Sequence, residues 1–251
     1  MTESGGDAGG VIDRQRVTRI RNGQVDDVPD EVAVEIEIRI VVNGKVVAPL
    51  TCSPAGILEL AYGYLRCEGW ILDRDEIRSL ERHGRDVIVA LHPAARDRAR
   101  SVPTRLDQEA TVSVDAVLET AREVDRRGDV FRRTGATHAA AIVRDGKIAC
   151  FSEDISRQAV LEKAMGKAIL GGVPLRDAFV FLTSRVSKAI LWQIARCGIP
   201  VVAAISAPTQ LAIDEADRLG IGLSGFVRGP GLTIYAHRER FVLRIDRDAA
   251  A

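Results

Sequence analysis

Paired cysteines are missing from this chain. Its four thiols, Cys52, Cys67, Cys150 and Cys197, are scattered, which excludes a zinc knuckle or a Cys-x-x-Cys dithiol and makes reduced, buried thiols the expected state. Net charge is missing as well. Thirty-five basic residues balance thirty-five acidic ones, so no global field draws the chain to nucleic acid or anionic lipid. No stretch reaches the ~18 uncharged apolar residues of a membrane span, and the polar, glycine-rich first ten residues hold no apolar leader core. A cytoplasmic protein with neither a membrane nor a nucleic-acid partner is expected. His83, His92, His138 and His237 have no metal-ligand spacing, and no internal repeat is present. What the chain does have, 46% hydrophobic residues over 251 positions, is enough for an ordinary core in one large domain or two small ones.

Residues 1–29 are polar and rich in Gly and Asp, so they read as a flexible N-terminal segment with one strand near Val17 to Ile20. Residues 30–91 read as a small α+β domain. The alternation of Val32, Val34, Ile36, Ile38 and Ile40 predicts a half-buried strand, and Asn43-Gly44 turns it into a second. Ser53 as cap and Pro54 at the first position predict a helix with Leu58, Ala61, Tyr62 and Leu65 as its buried stripe. A helical turn and a strand from Val87 to Leu91 close the unit. Residues 92–113, interrupted by Pro93 and Pro103, read as a connecting loop.

Residues 114–247 read as a larger α/β domain. After a helix from Asp115 to Asp125, a strand from His138 to Val143 reverses at Asp145-Gly146 into a strand from Lys147 to Phe151. Glu153-Asp154 is placed to cap a helix carrying Leu161, Met165 and Ile169. Apolar strands at Ala178–Leu182 and Pro200–Ile205 then alternate with helices at Ser187–Cys197 and Thr209–Leu219, the pattern of neighbouring parallel strands. The turns Thr183-Ser184-Arg185-Val186-Ser187 and Ser206-Ala207-Pro208-Thr209 would share one carboxyl edge, where helix N-termini and hydroxyls face an anion. Arg185 adds a planar fork for phosphate oxygens, with Arg157 and Lys163 able to approach from the preceding helix. Taken singly, each turn reads rather as an ordinary cap, since Ser and Thr at helix starts are more often simple caps.

The stretch TGATHAAAIV, from Thr134, resembles the segment T-G-G-x-H-A-A-A-L of the FdhD family of formate dehydrogenase accessory proteins. SEDISRQAVLEKAMG, from Ser152, resembles that family's E-D-V-G-R-H-N-A-V-D-K-V-x-G, and LTSRVSKAI, ISAPTQLAIDEA, GFVRG and IYAHRERF extend the likeness over roughly the last four-fifths of the chain. The resemblance implies a cytidine-deaminase-like three-layer α/β/α domain preceded by the smaller α+β domain. Zinc deamination is excluded, because His138 is followed by Ala139 and Ala140 and no Pro-Cys-x-x-Cys exists; no zinc is expected. The family passes sulfur from a cysteine desulfurase to the molybdenum or tungsten bis-guanylyl-pterin cofactor of formate dehydrogenase, and works as a homodimer. Carried over, the cofactor would lie along Thr134, Gly135, His138, Asp154, Arg157, Lys163, Thr183, Ser184, Arg185, Ser187, Ser206, Ala207, Pro208 and Thr209.

This chain departs from the pattern twice. Where the family has C-G-x-C-G, a paired thiol able to carry persulfide sulfur, residues 92–113 contain no cysteine. Where the family has G-R-H-N-A, this chain has Ser156-Arg157-Gln158-Ala159-Val160, losing an imidazole, while Glu162 replaces an aspartate. Three readings follow: a sulfurtransferase-like accessory protein, a non-catalytic binder or chaperone of the cofactor or of a guanine nucleotide, or a nucleotide-binding module unrelated to formate metabolism.

Overall fold

The computed structural model describes residues 10–96, 102–107 and 110–243. The first nine residues of the expected flexible segment, parts of the connecting loop and the last residues of the expected α/β domain lie outside them.

The expectation of a flexible start gives way to a hairpin. Strand β1 (Ile12–Arg21) pairs antiparallel with β2 (Gln24–Ala33) along its whole length. The turn is Asn22-Gly23, both at positive φ, the dipeptide that matches a tight hairpin to strand twist. Charged side chains pair across it, as in Arg19 with Asp30 at 3.1 Å.

Strands β3 (Ile36–Val42) and β4 (Lys45–Cys52) reverse at Asn43-Gly44 as expected, and β5 (Ile77–His83) and β6 (Asp86–Leu91) complete a sheet of order β4-β3-β6-β5. Helix α1 (Ile57–Cys67) covers one face, Ile57, Leu60, Ala61 and Leu65 packing with Ile38, Ile40, Val87 and Val89. It begins after Gly56 in a left-handed conformation, not at Ser53-Pro54. Ser53 is occupied elsewhere, as described below. The buried stripe of α1 is Ile57, Leu60, Ala61, Tyr64 and Leu65, and Leu58, expected inside, is 48% exposed.

Beyond the short α2 (Pro93–Arg96) and β7 (Val112–Ser113) come α3 (Val114–Arg127), α4 (Asp129–Thr134), β8 (His138–Arg144), β9 (Lys147–Asp154), α5 (Arg157–Leu170), β10 (Phe179–Leu182), α6 (Lys188–Arg196), β11 (Val201–Ala204), α7 (Gln210–Leu219), β12 (Gly222–Arg228), β13 (Gly231–Ala236) and β14 (Phe241–Val242). The larger sheet has the order β13-β12-β11-β10-β8-β9. Strands β10, β11 and β12 are parallel neighbours, with antiparallel hairpins on both flanks. Successive side chains of β8 serve opposite faces, as the pleat requires. Ala140 and Ile142 pack under α5, α6 and α7, whereas Ala139, Ala141 and Val143 pack under α3. The molecule is therefore mixed α/β, its larger sheet covered by helices on both faces. Among the described residues no helix is long and apolar enough to cross a membrane.

Helices α1 and α5 cross backbone to backbone. A Cβ on Gly63 would stand 1.7 Å from the carbonyl oxygen of Glu162, and one on Gly166 1.8 Å from that of Glu59. Neither carbonyl can retreat without breaking its own helix. Gly166→Ala should therefore destabilise the fold by about 3 kcal/mol or more, as read by urea denaturation. Gly231→Ala, whose Cβ would meet open space, should stay within ~0.5 kcal/mol of the parent. Equal effects from the two substitutions would contradict the crossing.

Candidate anion-binding site

Register places the site. Because His138 lies opposite Asp154 and Leu182 opposite both Ala140 and Ala204, the start of β8 and the ends of β9, β10 and β11 share one sheet edge. There the turn after β10 is bonded to the turn after β11, Val186 N donating to Ala207 O at 3.3 Å and Thr209 N to Val186 O at 2.9 Å. Ser206 joins the brace through its carbonyl, which accepts from Phe226 N at 3.4 Å, and Pro208 bridges to Val186.

The hydroxyls on this edge are largely committed to the backbone. Ser187 and Thr209 accept the amides of Ile190 and Ala212 as caps of α6 and α7, Thr183 accepts Ala139 N at 2.8 Å, and Ser184 is buried with its hydroxyl on the Arg185 carbonyl. Thr134 bonds back to Val130 O at 2.7 Å, and Gly135 ends α4 in a left-handed conformation.

A cleft of about 460 Å³ opens between the first turns of α5 and α6. It is lined by four of the expected site residues, His138, Arg157, Arg185 and Ser187, together with Ser156 and Gln158. Arg157 and Arg185 are exposed, and neither guanidinium has a hydrogen bond or ion pair among the described residues. Half-buried His138 has its pKa lowered from 6.5 by burial and then by the charge of Arg157, with Asp154 opposing, so its neutral form is favoured. Two free guanidinium forks, two helix N-termini and a neutral imidazole favour an anion with several oxygens.

Asp154 and Lys163 face away from this cleft. Their side chains form an ion pair of 2.5 Å, both almost fully buried. Lys163 Nζ donates to Ser53 O at 2.9 Å, Ser53 N donates to Asp154 at 3.1 Å, and Ser156 N donates to Asp154 at 2.8 Å. The hydroxyl of Ser53 accepts Ile155 N at 3.3 Å, which is why Ser53 does not cap α1. Such a pair holds only because its remaining donors and acceptors are met. The expected cap of α5 also moves. Glu153 accepts Val130 N and Phe131 N at the start of α4, and Ser156 caps α5 through Ala159 N at 3.3 Å.

Among curated proteins, 31% identity over 239 residues relates this chain to the Sulfur carrier protein FdhD of Methanothermobacter thermautotrophicus, covering 87% of this chain and 96% of that one. The Bacillus subtilis protein of the same name is 29% identical over 250 residues, covering 89% and 95%. The FdhD/NarQ family model matches residues 33–108 and 94–242. A crystal structure of a Desulfotalea psychrophila protein assigned as a formate dehydrogenase accessory protein superposes with a TM-score of 0.80 at 21% identity, covering 93% of this chain and all of that one.

One titration belongs to the helix behind the cleft. Burial, and next the charge of Glu68, raise the pKa of Glu162 from 4.5 to about 8, against a hydrogen bond from Gln193. A carboxyl that holds its proton more firmly when folded makes stability fall as pH climbs from about 4.5 to about 8, and level off above. Glu162→Gln should flatten that slope in urea denaturation and be more stable than the parent at the alkaline end. An unchanged slope would contradict the assignment.

Proposed function

This chain belongs to the FdhD/NarQ family, and from that premise we propose that it serves the maturation of a formate dehydrogenase as a sulfur-handling accessory protein. Its cargo is the molybdenum or tungsten bis-guanylyl-pterin cofactor. The observation that carries the reading is the pair of uncommitted guanidinium groups, Arg157 and Arg185, facing one cleft with His138. Phosphate oxygens of a guanylyl arm suit that donor set, because two planar forks bind them bidentately and the N-termini of α5 and α6 add amide donors. The cleft's volume lies within the range of small-ligand sites. His138, neutral beforehand, gains a proton as the anion neutralises Arg157 and then donates to it.

A cysteine desulfurase as sulfur source, a homodimeric state, a cytoplasmic location and a cytidine-deaminase-like larger unit beside a smaller α+β unit complete the reading. On this reading Asp154 and Lys163 position the start of α5, whereas Thr183, Ser184 and 206–209 hold the two turns at the cleft's rim.

A second reading has its own observation. All four cysteines are buried, and residues 92–113 contain none, so the chain offers no exposed thiol of lowered pKa. On that basis it would hold the cofactor as a chaperone while a partner supplies the thiol.

Expression in a strain lacking its own family member, with formate dehydrogenase activity as readout, separates the two readings. Restored activity supports maturation, and its survival in a variant with all four cysteines replaced by alanine would favour the chaperone. Arg185→Ala should weaken guanosine diphosphate binding roughly ten- to a hundredfold, the worth of one charge-assisted contact, and lower the restored activity. Unaltered nucleotide affinity in that variant would remove the cleft from the account.

A further inference from the structure

Cys67 ends α1 and Cys197 caps α6, so the two thiols belong to helices that accompany different sheets. Their sulfurs stand 3.8 Å apart, with Cys67 fully buried and Cys197 3% exposed. The helix ends are held together reciprocally: Arg196 Nη1 donates to Cys67 O at 3.1 Å and Arg66 Nη1 donates to Arg196 O. Gln193 of α6 adds a bond to Glu68 at 3.1 Å. The sulfurs of a disulfide are ~2.05 Å apart, so the pair needs to close by only ~1.8 Å, a displacement within the range of small side-chain rotations. Among the described residues no third His, Cys, Asp or Glu completes a metal site with them.

The two thiols are unequal. A hydrogen bond from Cys67, aided by the charges of Arg66 and Arg196, lowers the pKa of Cys197 against the effect of burial. Burial foremost, and then Cys197 itself, raise that of Cys67. Cys197 is thus the better nucleophile of the two. Neither lines the anion cleft.

We propose that Cys67 and Cys197 form an oxidisable dithiol that takes a small-molecule disulfide as its oxidant and locks the end of α1 to the end of α6. The thiolate of Cys197 attacks one sulfur of the oxidant, whose S–S bond breaks, and the departing thiolate takes up a proton. Cys67 then loses its own proton and attacks the Cys197 sulfur, expelling the second thiol. In balance, two protein thiols and one small disulfide give one protein disulfide and two small thiols. The cross-link closes a loop spanning 130 residues of sequence, so it restricts the unfolded chain and raises the unfolding temperature.

The test is treatment of the full chain with oxidised glutathione, followed by alkylation under denaturing conditions, digestion and mass mapping. The expected result is a Cys67–Cys197 linked peptide, with Cys52 and Cys150 alkylated. A thermal midpoint raised by roughly 5 °C or more, reversed by dithiothreitol, should accompany it. Cys67→Ala should abolish the linkage and Cys150→Ala should leave it intact. Four alkylated thiols, a stable glutathione adduct without the link, or a link between other cysteines would overturn the proposal; the mapping on the unsubstituted chain decides this even if a variant fails to fold.

Discussion

Two glycines that meet at backbone distance set the geometry on which the rest depends. With Gly63 and Gly166 in place, α5 lies directly on α1, and that closeness brings the ammonium of Lys163 to the Ser53 carbonyl at the end of β4. Asp154, last residue of β9, is drawn inward to the same point. The chain must then turn outward at Ser156, which caps α5 and leaves Arg157, the first helical residue, at the rim of the cleft. A packing contact between helices therefore fixes the position of a charged side chain at the sheet edge. Substituting one partner of the buried pair would leave the other ion uncompensated, at a cost of about 3–5 kcal/mol.

The chain treats its charges in two ways. Asp154 and Lys163 are taken out of water and fully bonded, whereas Arg157 and Arg185 are kept at the surface with no protein partner among the described residues, although the chain carries as many acidic as basic residues. Elsewhere arginines find carboxylates readily, as Arg133 does with Glu31 at 2.8 Å. Leaving two free beside one imidazole concentrates positive potential where two helix dipoles already point. Glu162 marks the opposite extreme, a carboxyl so enclosed that it stays protonated through neutral pH.

Much of this architecture is legible in the residues. Asn43-Gly44 and Asp145-Gly146 turn as their conformational freedom requires, and the apolar runs of β10 and β11 are parallel neighbours. The first hairpin escaped because its charged composition outweighed the Asn22-Gly23 signal, although alternating charges can pair across an exposed ribbon. Strands β12 and β13 carry glycines and register shifts, which blur the period of two. Lys163 was expected to approach the anion edge, but it is buried with Glu162 because α5 is covered by α1, a neighbour distant in sequence. The telling sign was there all the same: small residues Ala159, Ala164, Gly166 and Ala168 occur around α5, and nine of its residues from Ala159 to Ala168 are buried. Ser53-Pro54 has the form of a helix start, but the bonds of Ser53 to Asp154 and Lys163 come from a hundred residues away and cannot be read locally.

On the proposed reading, His138, Arg157 and Arg185 receive phosphate oxygens together. The most direct measurement follows the ring resonances of His138 by NMR through a pH titration, with and without guanosine diphosphate. The expected result is a free-protein pKa below 6.5 that rises on nucleotide binding, and a rise that shrinks in Arg157→Ala. A His138 titration indifferent to the nucleotide, while the nucleotide demonstrably binds, would place the ligand elsewhere and contradict the account.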